Sequence, residues 1–126
     1  MATYGFVYIL SNMAMPDIYK IGYTDRSPMQ RAAELSNSTA CPLPFDIVCY
    51  GEVENPQEVE ALVHESYADH RLNRDREFFR FEPNRLIREV CINLREQCTN
   101  FTECEEYELL AEGINQTEKA IREASE

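Results

Sequence analysis

No apolar run in the 126-residue chain exceeds a few residues, far short of the ~20 needed to span a bilayer. The first ten residues lack the basic and apolar regions of a secretory signal, so a cytoplasmic location is the expectation. There is no C-x-x-C pair and there are only two histidines, His64 and His70, which argues against a closed zinc site. The five cysteines cannot all pair within one chain; in a reducing compartment they are expected as free thiols that pack as small apolar groups. Basic residues are also scarce. Twelve Lys and Arg stand against 23 Asp and Glu, for a formal net charge of −11. A protein that coats nucleic acid by neutralising many phosphates would be basic, so that role is disfavoured, whereas a site that grips one phosphate locally is compatible.

What is present is globular: 44% apolar and 28% charged residues, in a length that suits one domain. The acid excess is uneven. Residues 1–50 carry 3 basic and 4 acidic groups, residues 51–82 carry 4 and 9, and residues 83–126 carry 5 and 10. Gly5 to Ser11 and Ile18 to Thr24 are β-rich and flank a short loop with Asn12, Pro16 and Asp17, the pattern of an antiparallel hairpin. Ser27-Pro28-Met29-Gln30 then reads as a helix start, with a capping serine, proline at the first helical position and glutamine three residues beyond the cap. That helix is expected to end near Ser36. Phe45 to Val53 is a third strand, and Asn55-Pro56-Gln57-Glu58 repeats the helix-start grammar before the stripe Val59, Leu62, Val63 and Tyr67. Phe78 to Phe81 is a short aromatic strand. After Pro83, Leu86, Ile87, Val90, Cys91, Leu94 and Cys98 form one helical stripe, and from Thr102 the tail reads as an acidic amphipathic helix. The expected fold is α+β: a small antiparallel sheet flanked by helices, with a helical C-terminal extension.

Strand parity selects the residues able to carry chemistry. Phe6, Tyr8 and Leu10 share one face of the first strand, and Val7 and Ile9 the other. In the second strand, Tyr19, Ile21 and Tyr23 oppose Lys20 and Gly22. A lysine inside a short apolar strand must either snorkel to water or meet an anion. Arg31 lies one turn into the first helix, where its guanidinium forms either a fork for phosphate or a solvated flank. Glu77, ahead of two phenylalanines, is a hard-cation ligand or a strand-edge charge. His64 lies on the flank of the second helix, placed to face a cleft. His70 lies on its apolar stripe, as a packed or capping residue.

The order of these residues resembles the GIY-YIG endonuclease superfamily, in particular the short phage and bacterial branch with a Y-K-I-G-x-T second motif. The matching segments are Phe6-Val7-Tyr8, Tyr19-Lys20-Ile21-Gly22-Tyr23-Thr24, Arg31 with Glu34-Leu35 behind it, Glu60-Ala61-Leu62-Val63-His64, Arg71, and Glu77-Phe78-Phe79. Together they cover about two-thirds of the chain, residues 5 to 82. The resemblance implies a three-stranded antiparallel sheet and metal-dependent hydrolysis of phosphodiester bonds in DNA. It assigns Tyr8 as general base, Arg31 as phosphate clamp and Glu77 as ligand of one Mg²⁺ or Mn²⁺ ion, with Lys20 and His64 completing the catalytic set. Lys20 stands where the family has its second tyrosine, and it is expected to be the cation that lowers the Tyr8 pKa. Arg71, Arg74 and Arg76 are expected to contact substrate. Residues 1–82 would form the nuclease domain and residues 83–126 a helical extension that packs on it or mediates oligomerisation. The net charge of −5 on that extension bars it as a DNA-binding module, so weak intrinsic nucleic-acid affinity is expected, with targeting by a partner or by oligomerisation through the C-terminal seam. The alternative is a catalytically inactive module of the same fold that binds nucleic acid or a protein.

Overall fold

The computed structural model describes residues 4–37, 43–73, 77–82 and 86–103. The hairpin forms as its sequence dictates, from β1 (Tyr4–Ser11) and β2 (Ile18–Thr24) in antiparallel register, with Tyr8 opposite Gly22 and Leu10 opposite Lys20. Its loop is pinned by Asn12, whose amide donates to the Leu43 carbonyl at 2.8 Å and whose Oδ1 accepts the Ala14 N–H. Asp17 adopts the left-handed conformation (φ 69) that aspartate tolerates better than most residues. Helix α1 (Pro28–Ser36) follows, then β3 (Asp46–Glu54), α2 (Pro56–Ser66), a single 3₁₀ turn (Ala68–His70), β4 (Phe78–Arg80), α3 (Leu86–Glu96) and β5 (Asn100–Glu103).

The sheet has five strands in the order β4-β2-β1-β3-β5, each pair antiparallel. This corrects the three-stranded expectation. The aromatic segment pairs onto β2, and Asn100–Glu103, at the start of what the sequence suggested was a helical tail, pairs onto β3. Three residues separate α3 from its return to the sheet, where Thr99 donates both its N–H and its hydroxyl to the Glu52 carbonyl, at 2.9 and 3.0 Å. The α3 residues Ile87, Val90, Cys91 and Leu94 join the main core, and β5 joins the sheet. The acidic tail beyond Glu103 lies outside the described residues.

Strand alternation gives the sheet two different faces. Val7, Ile9, Tyr19, Ile21, Phe79 and Phe81 point to one, where Val63 of α2 and Ile87, Val90, Cys91 and Leu94 of α3 close the main core. A bulge between the Ile9 and Leu10 pairings turns both Val48 and Cys49 into that core and resets the alternation of β3. Tyr8 and Leu10 point to the opposite face, where Ala32 of α1 covers them. Cys49 and Cys91 are buried free thiols with their sulfurs 3.5 Å apart, and Cys98 is a half-buried one. They pack as expected; burial pushes the Cys49 thiol well up, away from the reactive thiolate. Cys41 and Cys104 lie outside the described residues. Neither expected capping side chain makes its bond: Ser27 and Asn55 precede α1 and α2 without a side-chain cap, and proline alone marks both starts.

Candidate functional site

The face under α1 is only partly covered, and the polar residues of the hairpin collect there. Tyr8 is 1% exposed. Its ring lies across Gly22, where a Cβ would stand 2.5 Å from the phenol oxygen and 2.7 Å from Cζ. Only glycine leaves room for the tyrosine on this face. Arg31 of α1 reaches the phenol and donates a hydrogen bond to it. The two effects on the Tyr8 pKa oppose one another. Burial raises it, the Arg31 bond lowers it, and burial wins, so the resting phenol keeps its proton.

Lys20 meets an anion. Its ammonium bonds the Glu77 carboxylate at 2.6 Å and lies 5.6 Å from the centre of the Phe78 ring. Its side chain is only 12% exposed. The expectation that Lys20 lowers the Tyr8 pKa is corrected on both counts: Lys20 is engaged by Glu77, and the Tyr8 pKa is raised. Glu77 stands just ahead of β4, and its carbonyl accepts the Ile21 N–H at 3.0 Å. Among the described residues, no group of three or more His, Cys, Asp or Glu gathers to hold a metal ion.

Beyond Glu77 no strand among the described residues lies beside the outer edge of β2, where β4 pairs with Ile18, Tyr19 and Lys20. Helix α2 satisfies that edge with side chains. His64 Nε2 donates to the Ile21 carbonyl at 2.8 Å, which places its proton on Nε2, because a carbonyl can only accept. Glu60 accepts the Tyr23 N–H. Hence α2 buries Glu60 and His64 and leaves Leu62 48% exposed, against the apolar stripe read from sequence. His64 is a buried residue whose ring centre lies 5.0 Å from that of Phe79, tilted 52° to it, so it does not face a cleft. Its pKa is lowered, chiefly by burial, and it stays neutral. Glu60 Oε2 is buried without a hydrogen-bond partner. Burial and the nearby charge of Glu77 push the Glu60 carboxyl up to about 7.

Arg71 lies 5.9 Å over the Phe79 ring and forms an antiparallel bridge with it on the far edge of β4; Arg74 and Arg76 lie outside the described residues. His70, half-buried, contacts the Tyr67 and Phe81 rings from the 3₁₀ turn, since α2 stops at Ser66 before its stripe reaches this position. A groove lined by Asp69, His70, Arg71, Leu72, Arg80 and Glu82 mixes both charge signs and includes none of Tyr8, Lys20, Arg31 and Glu77. Sequence reasoning gave no separate role to Gly22, Arg26 or Glu34. The last two form an ion pair in front of α1, Arg26 Nη1 to Glu34 Oε1 at 2.9 Å, and Glu34 also takes Arg31 at 3.3 Å. The pairing of Tyr8 with Gly22 across a two-strand hairpin was the available signal for the glycine.

These features define a small α+β domain with a tyrosine, an arginine and a lysine–glutamate pair on one half-covered sheet face. The chain belongs to the T5orf172 domain family, whose model matches residues 5–97. That match overturns the assignment to the GIY-YIG superfamily read from the motif order; the same tyrosine, lysine, arginine and glutamate belong to a T5orf172 domain instead. The family is a nuclease-associated one, consistent with a nucleic-acid-related function. The match extends through α3, past the boundary at residue 82. Comparison with curated proteins and comparison with solved structures give no match. No helix among the described residues is long and apolar enough to cross a membrane.

Proposed function

We propose that this T5orf172 domain is a divalent-cation-dependent endonuclease that hydrolyses phosphodiester bonds in DNA on the Tyr8 face of its sheet. The observation that carries this reading is the Tyr8 phenol held against glycine with the Arg31 guanidinium bonded to it, one hairpin strand away from the Lys20–Glu77 pair. Arg31 has donors to spare beyond Tyr8 and Glu34, and a guanidinium fork matches the oxygens of a scissile phosphate. Its positive charge stabilises the negative charge that develops there, in general the largest catalytic term. Tyr8, once deprotonated, takes a proton from water as the water oxygen bonds to phosphorus and the bond to the leaving 3′ oxygen breaks. Glu77 suits a hard cation: one carboxylate with water and a phosphate oxygen is an ordinary Mg²⁺ environment. Glu77 would hold Mg²⁺ or Mn²⁺, which would supply positive charge to offset that of the leaving group. Lys20 holds the Glu77 carboxylate in position.

The raised Tyr8 pKa fixes the sign of the pH dependence. The phenolate fraction grows tenfold per pH unit below the pKa, so cleavage is expected to rise with pH through the neutral range without a plateau. The test is cleavage of supercoiled plasmid and single-stranded DNA with Mg²⁺ or Mn²⁺, beside Glu77→Ala. Cleavage lost in the variant supports the reading; equal cleavage by both proteins sinks Glu77 as the metal ligand. The Lys20–Glu77 contact also favours a second reading, a catalytically inactive module that binds nucleic acid or a protein, with the ion pair as a permanent feature. Binding of DNA without cleavage under every metal condition would select it.

A further inference from the structure

The site's charges are arranged unevenly. Lys20 and Glu77 neutralise one another, whereas Arg26, Arg31 and Glu34 together carry one net positive charge at the α1 end of the face. Both Arg26 nitrogens bond Glu34, Nη1 to Oε1 at 2.9 Å and Nη2 to Oε2 at 3.0 Å, and Arg31 Nη1 shares Oε2 at 3.3 Å. The Glu34 carboxylate is thus an anion gripped bidentately by Arg26, in the geometry that arginine uses for phosphate, and by one nitrogen of Arg31. The Arg26 bond first, and the Arg31 bond after it, hold its pKa below the usual carboxylate range. The three side chains are 37% to 51% exposed. Ion pairs this open contribute little, so an incoming anion displaces Glu34 at small cost.

Resting on the nuclease reading, we infer that Arg26 binds the phosphate adjacent to the scissile one on the same DNA strand, and that Glu34 is the placeholder both arginines release when the strand arrives. Arg31 reaches inward to Tyr8 while Arg26 stays on the outer side of their shared carboxylate. A strand laid along α1 therefore presents consecutive phosphates to the two guanidinia in turn. The preferred substrate then carries a phosphate flanking the cleaved bond, and a lone phosphodiester does not suffice. In a chain of net charge −11, local pairing of this kind gives the backbone a place to dock without a basic surface.

The test is the binding of a fluorescein-labelled single-stranded oligonucleotide in EDTA, followed by anisotropy across a salt series. Wild-type protein is expected to bind. Arg26→Gln should weaken binding about tenfold and lower the slope of log K against log salt by about 0.7, the loss of one phosphate contact on a single strand. Glu34→Gln should bind several-fold tighter than wild type, since the competing anion is gone. Arg88→Gln, an exposed charge on α3 across the sheet, should leave the slope unchanged. If wild type binds and Arg26→Gln keeps its affinity and slope, or Glu34→Gln binds more weakly, the placeholder inference is overturned and the nuclease reading stands. An Arg88→Gln loss equal to that of Arg26→Gln also overturns it, as mere net charge. No binding by wild type overturns the placeholder inference, and the metal-dependent cleavage assay decides the nuclease reading separately.

Discussion

The two faces of this sheet are finished in different ways. On the Val7 face, fourteen buried residues from strands β1 to β4 and helices α2 and α3 close one apolar core among the described residues; on the Tyr8 face there are three, Tyr8, Leu10 and Ala32. The first face is covered by two helices of eleven residues and the second by one of nine. A helix covers a strip about 10 Å wide, so a single one leaves part of a five-stranded sheet uncovered. The Lys20–Glu77 pair lies at the margin of that strip, and Arg31 extends from the covering helix itself. The well-packed face supplies stability, and the thin one tolerates the polar groups that chemistry needs, because water still reaches them.

The contrast breaks most sharply at the site itself. Tyr8→Phe should lower cleavage by about 10²- to 10⁴-fold and Arg31→Ala by about 10²- to 10³-fold, while thermal unfolding stays near wild type. A stability loss equal to that of a core variant would show that this face is structural. On the opposite face, Leu94→Ala should cost about 2–5 kcal/mol in denaturant unfolding, with unchanged cleavage per folded molecule. Gly22→Ala joins the two effects: a methyl 2.5 Å from the phenol oxygen must displace a buried ring, destabilising by about 1–3 kcal/mol and reducing cleavage. Retained activity there would mean that Tyr8 need not sit where it does.

The smallest effect separates the two neighbours that cap the β2 edge. With the Glu60 carboxyl raised to about 7, the folded chain keeps a proton that the unfolded chain releases near ~4.3. Stability conferred around Glu60 is thus lost as pH rises through that window. His64 acts oppositely: its lowered pKa means stability is lost as pH falls. Lys20, Glu77 and Arg71 also act on both groups. Urea unfolding at pH 5 and 7.5 should show Glu60→Gln gaining stability relative to wild type at the higher pH. An unchanged difference between the two proteins would mean that Glu60 is ionised throughout.

Much of this was legible in the residues. The hairpin, the starts of α1 and α2 at Pro28 and Pro56, and the inward stripe of α3 follow from local chemistry that requires nothing distant. The alternation of Tyr8 and Leu10 against Val7 and Ile9 correctly divided the first strand between two faces. The errors lie where two distant segments meet. Nothing local shows that Asn100–Glu103 finds Glu52, or that α2 turns Glu60 and His64 inward in place of Leu62. The helix turned because β4 is short and left the Ile21 carbonyl and the Tyr23 N–H to be satisfied by side chains. Likewise the motif order read as GIY-YIG belongs to a T5orf172 domain, since short motifs such as Y-K-I-G locate a strand and a face more securely than a family.

The sequence by itself determined the first four strands and the three helices, the faces that the residues of β1 and β2 share, and a charge balance that disfavours coating nucleic acid. These follow from periodicity, proline positions and net charge, all properties of neighbours or of sums. Only the tertiary structure decided the fifth strand, the protonated state of Tyr8, the partner of Lys20 and the burial of Glu60. Each depends on which group from a remote part of the chain comes within a few ångströms, and at that range burial and charge decide the outcome.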